Sequence, residues 1–197
     1  MSGGLKNAVA LCLAIAALYG MRLSTPLYSE IVSPVAVPGV QGKPAKTARF
    51  VMGIVKVYLA QELTAPGLGG TRTYTTSGRW LVIEAAAKAS NESITLTSAQ
   101  WRGPDGIRYA MTRRLSTTPG LLGSERLEPG IPRPILLVFE LPENQIEGGT
   151  LLVAETAFAP LSEQLQITMT PIEAANIHPS ITIERGGHIL PWKLEFR

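Results

Sequence analysis

The sequence predicts an all-β antiparallel sandwich preceded by one N-terminal apolar helix. Three observations carry that expectation. Runs rich in β-branched and aromatic residues recur between Gly/Pro turns. The 197 residues include 19 Gly and 15 Pro at 45% hydrophobic content, which fits a folded core with many turns rather than disorder. The longest uncharged stretch stands alone near the N-terminus, and the length suits one ordinary domain with an anchor or tail.

Residues 8–20 carry no charge, with Lys6 before them and Arg22 after them. The wider run 5–23 approaches the ~20 residues that span a bilayer's hydrocarbon core. Residues 1–23 therefore read as a signal anchor or a cleaved signal peptide, with a buried helix as a third reading. Tyr19, Met21 and Arg22 interrupt any small-x-small cleavage site, and Leu11 before Cys12 departs from a lipoprotein pattern. Lys6 and Arg22 nearly balance, so orientation rests on the domain that follows, which reads as exported. The expectation is a single-pass protein of the cell membrane, held through residues 5–23, with its C-terminal domain periplasmic or extracellular.

Residues 24–47 contain Pro26, Pro34, Pro38, Gly39, Gly42 and Pro44. Repeated prolines cannot donate ladder hydrogen bonds, so the segment reads as a semi-extended spacer, or as an irregular edge packed on the domain. The sandwich is expected over 48–170. Its first strand, 50–59, would place Val51, Val55, Val57 and Leu59 on one face. Residues 65–70 read as a loop.

In the stretch 78–89, Leu81, Ile83, Ala85, Ala87 and Ala89 would share one face, and Trp80, Val82, Glu84, Ala86 and Lys88 the other. Residues 84–88 are strong helix formers, but the β-branched entry and the turn at 90–93 favour a strand. Residues 94–101 predict a threonine-rich strand, and 107–109 the start of the next. Residues 135–141 are nearly continuously apolar, broken only by Glu140, and predict a buried strand ending at Pro142; 150–157 and 164–168 predict two more. Residues 171–197 read as a hairpin about Gly186-Gly187 that forms either a sandwich edge or a partner-binding tail.

One set of turns carries a resemblance. Gly78-Arg79-Trp80-Leu81-Val82-Ile83 leads to Ser90-Asn91-Glu92-Ser93, then Gly103-Pro104-Asp105-Gly106-Ile107-Arg108-Tyr109, Leu127-Glu128-Pro129-Gly130 and Leu137-Val138-Phe139-Glu140-Leu141-Pro142. This pattern resembles the immunoglobulin-like β-sandwich domain of unknown function found in secreted and lipid-anchored bacterial proteins. The mycobacterial secreted immunogenic protein is similar in architecture. The resemblance implies an immunoglobulin-like sandwich, an envelope location and a binding or scaffolding role. It implies no catalytic residue.

Charge and chemistry narrow the function classes. Residues 1–47 account for the whole net charge of +3, leaving 14 basic and 14 acidic residues beyond. That balance gives no concentrated basic face for nucleic acid. Asp105 is the only aspartate, Cys12 the only cysteine, and His178 and His188 the only histidines. Asp105-Gly106 fits a turn, and a two-histidine metal site would need further ligands. Glu140, Glu143 and Glu147 read as solvated positions. Arg102, Arg108, Arg113 and Arg114 form a possible basic edge toward anionic head groups or glycans. Trp80 and Trp101 read as packing residues, and Trp192 with Phe196 as the candidate exposed partner contact. The expectation is a non-enzyme without metal or small-molecule cofactor, which binds a protein partner or supports a membrane complex. A subunit assembling by strand addition through the C-terminal hairpin is the alternative, and an envelope hydrolase is disfavoured.

Overall fold

Helix α1 spans Gly3–Ser24 in the computed structural model, which describes residues 3–24, 33–67, 69–115, 117–157, 161–187 and 189–197. At 1.5 Å per residue its 22 residues extend roughly 33 Å. Its described side chains are all exposed, and its length and composition fit a membrane anchor or a signal sequence. The helix and the β-sandwich that follows are separate compact units.

The strands in chain order are β1 (Val35–Val40), β2 (Ala45–Lys46), β3 (Phe50–Gly67), β4 (Gly70–Ala89), β5 (Ile94–Thr95), β6 (Ser98–Arg102) and β7 (Arg108–Ala110). They continue as β8 (Arg126–Leu127), β9 (Arg133–Leu141), β10 (Thr150–Ala154), β11 (Glu163–Thr168), β12 (Ile177–Arg185) and β13 (Trp192–Phe196). One sheet has the order β1-β11-β10-β6-β7 and the other β13-β12-β3-β4-β9, with β2 paired to β3. The central ladders are antiparallel; β1 on β11 and β12 on β3 are parallel. The chain changes sheet between β4 and β6 and again between β9 and β10, as a sandwich requires. Between the sheets lies the main core, which includes Phe50, Met52, Leu81, Ile83, Trp101, Phe139 and Leu151.

The helix-favouring run 84–88 is strand, as expected. Ala85 and Ala87 pack into the main core, and ladder pairing on both sides overrides propensity. The first strand corrects the sequence reading. Phe50, Met52 and Ile54 point inward, whereas Val51 is half-buried and Val55 is 62% exposed. A β-bulge between Ile54 and Lys56 shifts the phase, so Val57 and Leu59 return to the core. The expected strand 94–101 is likewise two short strands, separated at residues 96–97, where the Thr97 N–H and hydroxyl both donate to the Glu155 carbonyl.

Two domain boundaries also move. All six residues of β1 are in register with β11, so 35–47 belongs to the sandwich and not to a spacer. Pro38 is tolerated because β1 is an edge strand. The expected loop 65–70 is only the tip of the β3–β4 hairpin. At the C-terminus, β12 and β13 extend the sheet, and the turn between them runs from Gly186 to Pro191 rather than closing on Gly186-Gly187.

A second irregularity shapes the outer face of the six-stranded sheet. Between Ala60/Trp80 and Glu62/Thr75 the ladder slips, with one residue extra on β3 and four on β4. Gly78 lies in this corner, where a Cβ would sit 2.1 Å from the Leu141 carbonyl oxygen. Past the corner the sheet folds back on itself. Trp192 pairs with Arg185, which in a flat sheet would lie beside Gly67, some 36 Å along β3 from Lys56 at ~3.3 Å per residue. Instead the Trp192 indole N–H donates to Glu84, the partner of Lys56, at 2.8 Å. The hairpin tip and β12–β13 thus cover half of the sheet's outer face. They bury a second core of Tyr58, Leu63, Trp80, Val82, Leu115, Val138, Ile181 and Trp192.

Candidate functional site

The other half of that outer face stays open. Cross-strand partners share a face, so the open half follows from the register. One row is Lys46–Val51–Lys88 and the next is Gly53–Ala86–Pro134, followed by Lys56–Glu84–Leu136 where the covering layer begins. Between the first two rows lies a cavity of about 450 Å³ lined by Pro44, Val51, Gly53, Val55, Ala86 and Pro132. A second cavity of about 490 Å³ shares Val55, Ala86 and Pro132 and ends at Ile189, Leu190 and Trp192. Together they form one continuous apolar trough. Small floor residues make it concave, and the bulge turns Val55 outward into it.

The trough's rim is basic. Lys43 and Lys88 line one cavity and Lys56 and Arg133 the other, while Lys46 stands in the first row. None of these five cations has a carboxylate partner among the described residues, although Arg49, Arg79, Arg114, Arg126 and Lys193 all do. Glu84 is the one carboxylate lining the trough, and it is occupied on the covered side. It accepts from Trp192 at 2.8 Å and from the Tyr58 hydroxyl at 3.2 Å. Burial first, then the Glu84 charge and its hydrogen bond, push the Tyr58 hydroxyl up to about 12.

The residues singled out from sequence are scattered. Trp192 is 1% exposed against the second core, which corrects its reading as an exposed contact: its ring packs over Gly120 and its indole N–H is bonded to Glu84. Phe196 is 40% exposed and stacks on His178 at 4.4 Å and against Tyr58 at 4.8 Å. His188 lies outside the described residues, and no cluster of metal-ligating side chains occurs among those described. Asp105 sits in a turn with Gly106 at φ 80° and accepts from the Gln145 side chain at 2.6 Å.

The arginine edge divides as well. Arg114 lies over Tyr74 and Trp80 and pairs with Glu140 at 3.4 Å, while Arg102 reaches Gln166, and Arg108 and Arg113 are exposed. Of the glutamates read as solvated, Glu143 pairs with Arg79 and Glu147 is exposed. A polar cavity of about 390 Å³ at the sheet corner holds Gln61, Glu62, Thr75, Ser77, Arg79 and Glu143, with neither histidine nor cysteine. It offers hydroxyls and carboxylates without a nucleophile–base pair.

The sequence reading does not reach the trough because it sets Val55 on the same face as Val57 and Leu59, whereas the bulge separates them. The usable signal was the change of phase, from apolar even positions at Phe50, Met52 and Ile54 to apolar odd positions at Val57 and Leu59.

No family model and no curated protein matches the chain. Among solved structures it is similar to the yjhA protein of Bacillus subtilis, with a TM-score of 0.53 at 16% identity, covering 67% of this chain and 99% of that one. It is also similar to an uncharacterized β-sandwich protein of Clostridium difficile, with a TM-score of 0.43 at 12% identity, covering 70% and 97% respectively. At 16% identity the first likeness speaks to fold alone: a β-sandwich, here preceded by an apolar helix.

Proposed function

We propose that this chain is a membrane-anchored, immunoglobulin-like module that stands outside the cytoplasm and docks a protein partner, serving as an accessory or scaffold of a membrane complex. The trough on the open half of the outer face carries this reading. An apolar concavity rimmed by polar and charged side chains is a form that binding sites take. Helix α1 supports the anchor, and the resemblance to envelope sandwich domains supports the location. The dispersal of Asp105 and His178 into a turn and an aromatic stack favours binding over hydrolysis. Strand donation by the C-terminal hairpin would require Trp192 to leave the second core, so docking through the trough is preferred.

A photoreactive residue at Val55 in the full chain, expressed in its native host, tests the docking. Adduct to a protein from Val55, and none from a matched probe at Arg108, is the expected result; equal or absent adducts would refute it. A reporter fused after Arg197 tests the topology, with activity expected only outside the cytoplasm.

A further inference from the structure

We infer that the trough's occupant is an acidic amphipathic helix of about three turns, supplied by a protein partner. The inference rests on the docking reading above and adds the partner's chemistry.

Three observations lead to it. First, the floor is the face of a sheet and not its edge, with β4 bonded on both sides. Across the floor β3 is paired with β4 and β4 with β9, so the face of the trough presents side chains, while β3 keeps an unpaired edge beside it between Met52 and Leu59. An extended peptide laid on such a floor would lose water from its own N–H and C=O groups without finding partners. An α-helix satisfies its backbone internally and can present a bare apolar face.

Second, the size fits. From Val51 to Lys56 the floor runs about 15 Å at ~3.3 Å per residue, shortened slightly by the bulge. Three helical turns measure about 16 Å. The walls are stiff prolines, Pro44 on one side, packed 3.7 Å from where a Gly53 Cβ would sit, and Pro132 on the other, and Ala86 keeps the floor between them low.

Third, the rim charge is unspent. Lys43, Lys46, Lys56, Lys88 and Arg133 ring the trough without carboxylate partners among the described residues, and Glu84 is engaged by Trp192 and Tyr58. Carboxylates flanking the apolar stripe of a helix would meet these cations from both sides. A flat anionic bilayer has the right charge but the wrong shape, because the apolar residues line a concavity rather than crown a ridge.

The test uses the fragment 33–197, which holds both hydrophobic cores while α1 contributes to neither. The probes are a synthetic 14-residue helix with leucine at i, i+3, i+4 and i+7 and glutamate beside the stripe, the same peptide with lysine replacing glutamate, and phosphatidylglycerol vesicles. The glutamate peptide is expected to bind at least about tenfold more tightly than the lysine peptide and to weaken as salt screens the rim. Backbone NMR shifts should concentrate at Val51, Gly53, Val55, Ala86 and Lys88, and Lys43→Glu with Lys88→Glu should remove the preference. Equal binding of the two peptides, or vesicles displacing the glutamate peptide from the same residues, would overturn the inference. Should Val55 still give protein adducts in cells while the peptides show no preference, the docking reading stands and the acidic helix falls. If both fail, the docking reading falls with it.

Discussion

The two halves of one sheet face have opposite fates. Tyr58, Trp80, Val82 and Val138 are sealed under a layer made from the chain's own hairpins. A few residues along the same strands, Val51, Gly53 and Ala86 are half-buried and Val55 is exposed. The covered half holds large side chains with its polar atoms matched, as the Trp80 indole N–H donates to the Tyr74 carbonyl at 3.1 Å and Glu84 takes two donors. The open half holds small side chains inside a ring of unpaired cations. Burial stabilises the first, and the second adds little to folding. The contrast separates residues kept for stability from residues free to serve recognition.

Substitutions should break along that line. The largest effect is expected for Trp192→Ala, which removes a fully buried ring from the second core and leaves Glu84 short of a donor. A loss of about 3–5 kcal/mol in denaturant unfolding is expected. Gly120→Ala approaches it by another route: Gly120 has φ 78°, and its Cβ would sit 2.2 Å from the Trp192 ring. Strain and overpacking there should cost about 2–4 kcal/mol in the same measurement.

Tyr58→Phe is smaller. It removes a 3.2 Å hydrogen bond to Glu84 and should cost about 0.5–1.5 kcal/mol at neutral pH. It also has a pH signature. The hydroxyl ionises near 10 when unfolded and about 12 when folded, so the native state holds the proton more tightly. Stability from this group is complete below pH 10 and is lost as pH rises toward 12. Unfolding curves across that window should fall more steeply for the parent protein than for Tyr58→Phe. At the bottom of the scale, Val55→Ala should change stability by less than about 0.5 kcal/mol, because Val55 is 62% exposed.

Much of the main core was legible in the sequence. The alternation through 80–89 identified both faces of β4, and the continuous apolar run in β9 identified a strand buried on both sides. What escaped shares one physical origin: ladder irregularities are not written in composition. The bulge at Val55 inverts a face, and the corner at Gly78 folds a sheet over itself; each depends on partners many residues away. Trp192 illustrates the cost. Its neighbours Lys193, Glu195 and Arg197 alternate like those of an exposed edge, and only the folded-back layer buries it. Val35–Val40 was hidden for a related reason, since parallel pairing with a distant strand lets a proline-bearing segment join a sheet edge.

Cysteine labelling tests the contrast most directly, since Cys12 is the only native cysteine and Cys12→Ser clears the background. In that chain, Val55→Cys and Val82→Cys probe the open and covered halves. The expected result is rapid maleimide modification of the Val55 variant when purified, marked protection of it in native membranes, and no modification of the Val82 variant short of unfolding. Equal labelling of the two variants would contradict the fold-back, and unchanged labelling of the Val55 variant in native membranes would contradict the docking.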